Sequence, residues 1–271
     1  MRWEGIVTEQ GPRPQIHCAI ADGVAVLTIA NRRRMNALTA AMWQQLPEHI
    51  HQADQNPEVR VVLVRGEGES AFSAGADISE FELNRQGNAA TAYNDLNHRA
   101  FDAILTCAKP TIAMVHGFCL GGGLAIAACC DLRIAGACAR FAIPAARLGI
   151  GYDPRWLRPL LRLASPAAVK EILFTGHRFN VEEARAMGLV NRIVPSTELE
   201  GSARALAAEI SANAPLTIRA AKASIDQLSQ HAGTADIGAL DNLVAACFSS
   251  DDYVEGRRAF LEKRAPKFRG Q

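Results

Sequence analysis

Continuous apolar runs place the strongest limit on how this chain can fold. VRVVLVRG (59–66) and KPTIAMVHG (109–117) are rich in valine, isoleucine and leucine, and GVAVLTIA (23–30) is a third β-type run. Runs of this kind, bounded by turn or helix signals, predict strands that are covered on both faces. Strand and helix patterns alternate to about residue 145, so the sequence predicts an α/β layer rather than a helical bundle.

Helical periodicity marks the segments between and after these runs. LTAAMWQQLPEHIHQADQ (38–55) has Thr39 as its predicted N-cap, and Pro47 either kinks this helix or marks its start. Further helices are predicted at 91–104, 165–174, 181–189, 197–214, 215–230 and 255–268. After residue 145 the predicted strand is VNRIV (190–194). The pattern indicates a core over residues 1–195 and a helical region over 196–271.

Composition excludes some partners. The 271 residues are 49% hydrophobic and 21% charged, with a formal net charge of +1, which is enough apolar material for a large core. Basic residues cluster only at 32–34 and near the end, at 263–269. Nucleic acid is not an expected partner, because its binding depends on neutralising many phosphates at once.

The cysteines and the N-terminus indicate a cellular compartment. The seven cysteines are an odd number in apolar surroundings without CxxC spacing, which predicts reduced core residues of a cytosolic protein. The first fifteen residues lack the apolar stretch of a secretion signal, and no later segment is apolar over the roughly 18 residues that a membrane helix needs. A cytoplasmic protein without membrane insertion is expected.

GFCLGGGLAIAACCD (117–131) places three glycines at the predicted start of a helix. A helix N-terminus presents free N–H groups and favours negative charge, so this is a candidate anion or oxyanion site. No Lys-Ser/Thr pair follows as in a Walker loop, and the spaced GxGxxG of dinucleotide sites is absent. The alternative is that these glycines merely allow close packing of helix on strand.

A second strand-to-helix junction has similar chemistry. In GEGESAFSAGADISEF (66–81), the small residues 73–76 precede Asp77, a predicted N-cap for DISEF. Two such junctions together supply two backbone donors to one oxygen. That arrangement stabilises an enolate or a tetrahedral oxyanion.

Four segments resemble one family. AFSAGADISEF (71–81), VHGFCLGGGLAIAACCDLRIA (115–135) and FTGHRFNVEEARAMGLVNRIVP (174–195) are similar, in order and spacing, to signature segments of the enoyl-CoA hydratase/isomerase (crotonase) superfamily. EGRRAFLEKRAPKF (255–268) is similar to that family's C-terminal segment. The resemblance spans roughly residues 15–268. It implies a crotonase (ClpP-like) α/β fold of repeated ββα units in two nearly perpendicular sheets. A helical trimerisation region that also covers the coenzyme follows, and the expected assembly is a trimer or a hexamer (dimer of trimers).

The resemblance also implies a ligand. It is a coenzyme A thioester whose carbonyl oxygen lies between the N–H groups of Ala76 and Gly122; no separate cofactor or metal is implied, since coenzyme A is part of the substrate. The implied coenzyme contacts are Arg33, Arg34, Met35, Ala74, Asp77, Ile78, Phe260 and Lys263, the last two often from a neighbouring subunit. Basic side chains suit phosphates. For Arg33 and Lys263 an ordinary solvated surface charge is the alternative.

The chain departs from the family at the positions that perform hydration. The two glutamates that family hydratases use correspond here to Ala125 and Ala145. A methyl group neither activates water nor delivers a proton. Standard hydration is therefore not expected, even though the oxyanion hole is retained.

Other residues become candidates for proton transfer. Dienoyl-CoA isomerases and aromatic-CoA dehalogenases of the superfamily carry an acidic residue at the place of Asp153, and a decarboxylating branch has tyrosine at the place of Tyr152. Asp153 is the predicted general base or nucleophile, with Tyr152 as a donor. The alternative for Asp153 is a turn or N-cap before Pro154.

Four further residues have simpler interpretations. His116 is expected to hold the glycine loop by hydrogen bonding, and Asp131 to be structural. His98, on the predicted helix 91–104, faces either the pocket or solvent. Trp156 either reshapes the pocket or packs in the core.

The sequence thus predicts an acyl-CoA enzyme with isomerase-type or other enolate chemistry. The alternative is a noncatalytic acyl-CoA binding protein that kept the hole and lost the acids. A third hypothesis, a nucleotide phosphate-binding protein, is disfavoured by the missing Lys-Ser/Thr.

Overall fold

Four successive strand–strand–helix units build the first part of the fold. The computed structural model describes residues 13–80, 87–230 and 233–271. The units are β1 (Gln15–Ala21), β2 (Val24–Ala30), α1 (Ala40–Gln55); β3 (Val61–Gly66), β4 (Ala71–Ser73), α2 (Gly87–Thr106); β5 (Thr111–Val115), β6 (Phe118–Leu120), α3 (Gly122–Cys129); and β7 (Leu132–Gly136), β8 (Arg140–Ala142), α4 (Pro154–Leu163). The predicted ββα repeat is confirmed.

The rest of the described chain is mainly helical. It contains α5 (Pro166–Thr175), β9 (Phe179–Asn180), α6 (Val181–Ala186), β10 (Arg192–Val194), α7 (Leu199–Ser211), α8 (Pro215–Gln230), α9 (Ile237–Phe248) and α10 (Asp251–Glu262). The helical C-terminal region is confirmed. The boundary at 195/196 stays a prediction.

Two sheets share the four units. The first has the strand order β1-β2-β3-β5-β7-β10 and is parallel except for the β1–β2 hairpin. The second has the order β4-β6-β8-β9. In the second, third and fourth units the first strand lies in the larger sheet and the second strand in the smaller one. The chain therefore crosses from sheet to sheet in each of these units, and the two small-residue loops follow such crossings.

Alternate residues of one strand face two different apolar cores. In β3, Val62 and Val64 belong to the main core, whereas Val61 and Leu63 face a second cluster that includes Leu206 of α7. Side chains alternate across a strand, so each face needs its own cover. The prediction of strands covered on both faces is confirmed for β3, and β5 is buried throughout.

Several helix boundaries correct the predictions. Thr39 caps α1 by accepting from Met42 N at 3.3 Å, but Pro47 lies inside the helix, so its interpretation as the start is wrong. Helix α9 was not predicted; it begins after Asp236, whose side chain accepts from Ala239 N at 2.9 Å.

The last helix is also displaced from its predicted range of 255–268. It begins at Asp251, because the Ser250 side chain caps it by accepting from Tyr253 N at 3.1 Å. It ends at Glu262, because Lys263 adopts a left-handed conformation with φ of 53°.

Cysteine burial follows the prediction in part. All seven thiols are free; four are buried, two are intermediate and Cys138 is exposed, so the expectation of core residues fails for Cys138. Within the described ranges, no helix combines the length and apolar character needed to span a bilayer.

Candidate active site

Each of the three glycines before and in α3 has a different physical role. Gly121 has φ of 51° and turns the chain from β6 into the helix, with its N–H donating to Ala142 O at 2.8 Å. A β-carbon at Gly123 would lie 2.5 Å from Ser73 O, so this glycine serves the close packing named above as the alternative. Gly122 begins the helix, and its N–H belongs to the unsatisfied first turn.

The loop after β4 is held rigidly by its own side chains and by the segment before α1. Ser73 Oγ donates to Asn36 O at 2.8 Å and accepts from Gly75 N at 3.0 Å. Asn36 has φ of 56°, and its amide donates to Ala71 O at 2.7 Å. These bonds fix the loop without using the N–H of Ala76.

The backbone groups on either side of Ala76 are engaged in hydrogen bonds with the segment before α1. The bonds are Ala74 N to Met35 O at 2.9 Å, Leu38 N to Gly75 O at 2.7 Å, and Asp77 N to Leu38 O at 2.9 Å. In the described ranges, the N–H of Ala76 and the N–H of Gly122 have no hydrogen-bond acceptor. A backbone donor left open between satisfied neighbours is a position for a ligand atom.

The two loops meet backbone to backbone. A β-carbon built on Gly75, which has φ of 90°, would lie 2.8 Å from Gly122 N and 2.9 Å from Leu120 O. Glycine is required here because no side chain fits between the loops. The contact brings the open donors of Ala76 and Gly122 to one cavity, which both residues line.

This cavity is small and mostly apolar. Its volume is about 110 Å³, below the range of pockets that enclose a drug-sized ligand. Ala125 and Ala145 both line it, so the two vacant glutamate positions do face the site. None of the described residues that line it carries a carboxylate, an imidazole or a cationic group. The polar side chains on its walls are Asn97, Tyr152 and two tryptophans.

An aromatic wall runs along the cavity. Ring centroids are 5.6 Å apart for Trp43 and Phe101, 6.1 Å for Phe101 and Trp156, and 5.5 Å for Trp156 and Tyr152, all edge-to-face. The edge of Trp43 would lie 3.1 Å from a β-carbon at Gly122. The wall therefore connects the open donors to Tyr152.

Tyr152 lines the cavity with an unsatisfied hydroxyl. Its Oη is buried and has no hydrogen-bond partner in the described part of the chain. Burial, and to a lesser degree Cys129, raise the pKa of Tyr152 well above its usual range. The phenol therefore stays protonated and remains a donor.

Asp153 is placed differently from its neighbour. It caps α4, with Oδ1 accepting from Arg155 N at 2.9 Å, and its Oδ2 lies 2.8 Å from Arg155 Nη2 and 3.1 Å from His98 Nε2. The pKa of Asp153 is held well below its usual range, mainly because the carboxylate accepts from the Arg155 side chain. Hydrogen bonds from the Arg155 backbone N–H and from His98 lower it further. Asp153 does not line the cavity. This is the geometry of the capping alternative, and a carboxylate with a lowered pKa is a weak base.

His98 faces neither the cavity nor open solvent. Trp156 Nε1, which only donates, lies 3.2 Å from His98 Nδ1, so Nδ1 accepts and the proton sits on Nε2, which donates to Asp153. Both ring nitrogens are thus engaged. The chain of bonds Asp153–His98–Trp156 ties α2 to α4 and fixes the aromatic wall.

The coenzyme contacts implied by the resemblance fall in two places. Arg34 Nη1 lies 3.3 Å from Asp77 Oδ1, and Met35 accepts from Ala74, so the two loops form one rim. Ile78 on this rim is 62% exposed and lines the cavity mouth, and Arg33 belongs to the 3₁₀ turn Arg32–Arg34.

The C-terminal pair of implied contacts lies apart from this rim. Phe260 is 84% exposed, and it lines a different cavity, between α8, α9 and α10. Lys263 closes α10. A contribution of either residue to the site from a neighbouring subunit stays a prediction.

His116 and Asp131 serve the framework. His116 is buried with Nε2 3.1 Å from Gly66 O, and desolvation lowers its pKa, so it holds the end of β3 rather than the glycine loop itself. Asp131 Oδ2 accepts from Thr111 N at 2.7 Å and pairs with Lys222 Nζ at 2.7 Å, which agrees with the structural role predicted for it.

Asn97 was not singled out by the sequence. It lies on α2, lines the cavity and is 3% exposed, and its Nδ2 has no partner in the described ranges. Its spacing of four residues from Phe101 is the available signal, because both then lie on one helix face.

Comparison with known proteins gives a consistent result. Residues 19–271 match the family model described as enoyl-CoA hydratase/isomerase. The chain is 33% identical over 268 residues to the crotonyl-CoA hydratase of Syntrophomonas wolfei subsp. wolfei, covering 99% of each protein. It is 35% identical over 247 residues to the carnitinyl-CoA dehydratase of Salmonella typhi, covering 89% of this chain and 93% of that protein.

Solved structures agree with these sequence relatives. The crystal structure of an enoyl-CoA hydratase/carnithine racemase from Magnetospirillum magneticum superposes with a TM-score of 0.91 at 35% identity, covering 94% of this chain and 96% of that one. A putative enoyl-CoA hydratase/isomerase family protein from Hyphomonas neptunium gives a TM-score of 0.89 at 38% identity, covering 93% and 97%.

Proposed function

The chain belongs to the enoyl-CoA hydratase/isomerase family, and from that premise we propose that it binds an acyl-CoA and stabilises its thioester enolate. The carbonyl oxygen accepts from the N–H groups of Ala76 and Gly122. The observation that carries this proposal is the pair of unpartnered backbone donors at one cavity. Preorganised donors of this kind are commonly the largest source of rate enhancement in acyl chemistry.

The proposed chemistry is isomerase-type or another enolate reaction rather than hydration. Addition of water needs a group that takes its proton and one that returns a proton to carbon. The alanines at 125 and 145 supply neither, and no other described wall residue is acidic. Relatives named hydratase or dehydratase support the thioester substrate. Isomerisation also removes a proton from carbon, so a lining without a carboxylate or an imidazole favours enolate reactions that need hydrogen-bond donors alone.

Tyr152 is the proposed proton donor. Its raised pKa keeps the proton on Oη until a stronger base forms nearby, and a thioester enolate is such a base. Decarboxylation is an enolate reaction that needs hydrogen-bond donors alone. The C2–C3 bond of a malonyl-type thioester breaks and carbon dioxide leaves. The electron pair moves onto the thioester oxygen, the Tyr152 proton goes to C2, and the phenolate is reprotonated from water.

Asp153 was the first sequence candidate for the base, and its bonds support a different proposal. Its oxygens are held by Arg155 and His98. We assign it a positioning role: it fixes the start of α4 and, through His98, the indole of Trp156.

The remaining proposals concern the coenzyme and the assembly. Coenzyme A lies along the rim that includes Arg34, Met35 and Asp77, enters as part of the substrate, and is covered by Phe260 and Lys263 of a neighbouring subunit in a homotrimer or a dimer of trimers. The free thiols support a reducing compartment such as the cytoplasm.

The experiment compares two substitutions at Gly122 across crotonyl-, dienoyl- and malonyl-type thioesters, with products identified by mass spectrometry. Gly122→Pro removes the N–H at a helix position that tolerates proline. Gly122→Ala adds a β-carbon next to Trp43 and keeps the N–H, so it is the matched control. The expected kcat of the proline variant is about 100- to 1000-fold below that of the alanine variant.

Three outcomes would contradict the proposal. Equal rates for the two variants would remove the oxyanion hole from the mechanism. Rapid hydration of crotonyl-CoA with no other product would restore the standard reaction. Tight thioester binding with no product from any substrate would instead support the noncatalytic acyl-CoA binding protein, for which the loss at Ala125 and Ala145 is the motivation.

A further inference from the structure

Two buried polar groups without partners lie on the wall of one cavity. Asn97 Nδ2 and Tyr152 Oη both have no hydrogen-bond partner within the described residues, and both residues line the cavity that holds the open N–H groups. Buried polar groups are almost always hydrogen-bonded, because an unpartnered one loses its water without compensation. Two of them at one cavity indicate a ligand that satisfies both.

The surroundings make these two groups stand out. The neighbouring walls are formed by Trp43, Phe101 and Ala125. Phe101 and Ala125 have no polar side-chain atom, and the Trp43 indole already donates to Tyr93 Oη at 3.1 Å. The Trp156 indole is likewise committed to His98. Among the described lining residues, the side chains left to recognise a polar atom are therefore Asn97 and Tyr152.

Both groups call for the same partner chemistry. An amide NH₂ only donates, and a phenol whose proton is retained also donates. Their common partner is an oxygen with two lone pairs. No cation among the described lining residues competes for that oxygen.

The position of the pair within the site identifies the part of the ligand that carries this oxygen. The Ala76 and Gly122 donors take the thioester oxygen, and the volume of about 110 Å³ between the described walls suits a short acyl group. Ala125 and Ala145 leave open the space beside the α and β carbons that longer side chains would fill. The oxygen that Asn97 and Tyr152 recognise therefore belongs to the acyl part of the ligand, in the cavity that both residues line.

We propose that Asn97 and Tyr152 form a specificity site for an oxygen acceptor on the third acyl carbon. The preferred ligands are short 3-oxoacyl or 3-carboxyacyl thioesters rather than simple saturated or 2-enoyl thioesters. This inference rests on the proposed function for the placement of the thioester, and it adds Asn97 as a substrate-binding residue.

The test measures binding by isothermal titration calorimetry, so that it does not depend on turnover. Acetoacetyl-CoA carries a 3-oxo group, malonyl-CoA carries a 3-carboxylate, and butyryl-CoA carries neither. The full-length protein is expected to bind at least one of the first two about tenfold tighter than butyryl-CoA, since a net hydrogen bond is worth about threefold to tenfold in affinity. The ligand with the larger affinity relative to butyryl-CoA shows whether the site recognises a 3-oxo group or a 3-carboxylate.

Substitutions then assign the preference to the two residues. Asn97→Leu and Tyr152→Phe each remove one donor with little change in size, and each should lower the affinity ratio by about threefold to tenfold. Asn97→Asp, which replaces the donor by an acceptor, should lower it at least as far. Asn94→Leu makes the same change on the same helix at a residue that does not line the cavity, and it should leave the ratio at the wild-type value.

The outcomes separate this inference from the proposed function. A wild-type ratio near one would overturn the specificity site, as would variants that weaken all three ligands equally, which is the result expected if ordered water alone satisfies the two groups. A clear ratio together with equal rates for Gly122→Pro and Gly122→Ala would leave the specificity site standing and remove the proposed mechanism. Melting temperatures and butyryl-CoA affinity of each variant identify misfolding, and Asn97→Asp replaces Asn97→Leu if the leucine variant fails to fold.

Discussion

At the scale of single residues, hydrogen-bond saturation separates two adjacent candidates. The sequence predicted Asp153 as the general base or nucleophile and Tyr152 as a proton donor. In the fold, Asp153 accepts from Arg155 and His98, whereas Tyr152 Oη has no partner in the described chain. A carboxylate with its lone pairs occupied stabilises structure, and a buried hydroxyl without a partner is available to a ligand.

The charge of Asp153 has a testable pH signature. Asparagine caps helices as well as aspartate does, so Asp153→Asn removes mainly the charge. Because the folded-state pKa of Asp153 is lowered, its contribution to stability is present above the unfolded pKa of about 3.9 and is lost as the pH falls towards the folded value. We expect the variant to melt about 1–3 °C lower at pH 7 and the gap to narrow progressively as the pH falls below about 4.

Calorimetry of both proteins from pH 3 to pH 8 checks this expectation. A gap that is constant over that range would mean that the charge of Asp153 does not stabilise the fold. The same variant should retain more turnover than Tyr152→Phe on any substrate the protein accepts, and the reverse order would return Asp153 to the role of base.

The limits of sequence reasoning are clearest at Asn97. Residues 91–104 were predicted as helical, and the structure places them in α2. Periodicity defines which residues share a face, but it does not show what that face contacts. The burial of Asn97 against a cavity depends on α1, α3 and α4, which come from distant parts of the chain. The two donor loops were predicted from the small residues at the strand-to-helix junctions, and the resemblance to the family then implied Ala76 and Gly122 as the donors.

At the scale of elements, the C-terminal region is tied to the strands that lead into the glycine loop. Lys222 of α8 donates to Asp131 Oδ2 at 2.7 Å and to Lys109 O at 2.9 Å, and Asp131 in turn accepts from Thr111 at the start of β5. The lysine side chain is 12% exposed, so these bonds are largely shielded from solvent. Helix α8 therefore anchors β5 and β7.

Removal of this anchor should be costly. Lys222→Met keeps the aliphatic stem and leaves the Asp131 and Lys109 oxygens without this donor, which we expect to lower the free energy of unfolding by about 1–3 kcal/mol. Lys222→Arg retains a positive donor and should recover at least half of the loss. Denaturant unfolding measures both, and a methionine variant as stable as the wild type would show that the anchor contributes nothing.

The strands show why some elements were predicted and others were missed. β2, β3 and β5 are five to seven residues long and apolar, so their patterns were recognised. β4, β6 and β8 have three residues each, too few for a period of two to register. They exist because parallel neighbours in the second sheet pair with them. Tertiary pairing, not local preference, places the two loops of the site.

At the scale of the whole molecule, the C-terminal helices expose an unusual amount of apolar surface. On α9 and α10 the most exposed large apolar residues are Phe248, Val254, Phe260 and Leu261. Large exposed apolar patches mark interaction surfaces, and this one supports the proposed trimer. The family resemblance had already placed subunit contacts in this region.

A charge introduced into this patch should dissociate the assembly. Leu261, which is 78% exposed, is the position to change, and light scattering should show a trimer or hexamer for the wild type and smaller species for Leu261→Asp. Ile20→Asp makes the same apolar-to-acidic change on β1 and should leave the mass unchanged. A monomeric wild type, or equal masses for both variants, would contradict the assignment of this surface.

The contact between Gly75 and Gly122 also bears on how such a protein loses or keeps its activity over evolutionary time. An alanine at position 75 would carry its methyl carbon to 2.8 Å from the Gly122 nitrogen, a separation typical of an oxygen that accepts from an N–H group. The chain would then crowd its own donor from within, on a backbone whose φ of 90° suits glycine and strains a residue with a β-carbon. Every other signature residue would still be in place. We therefore expect a single-nucleotide change in the Gly75 codon to block one oxyanion donor while the rest of the signature stays intact.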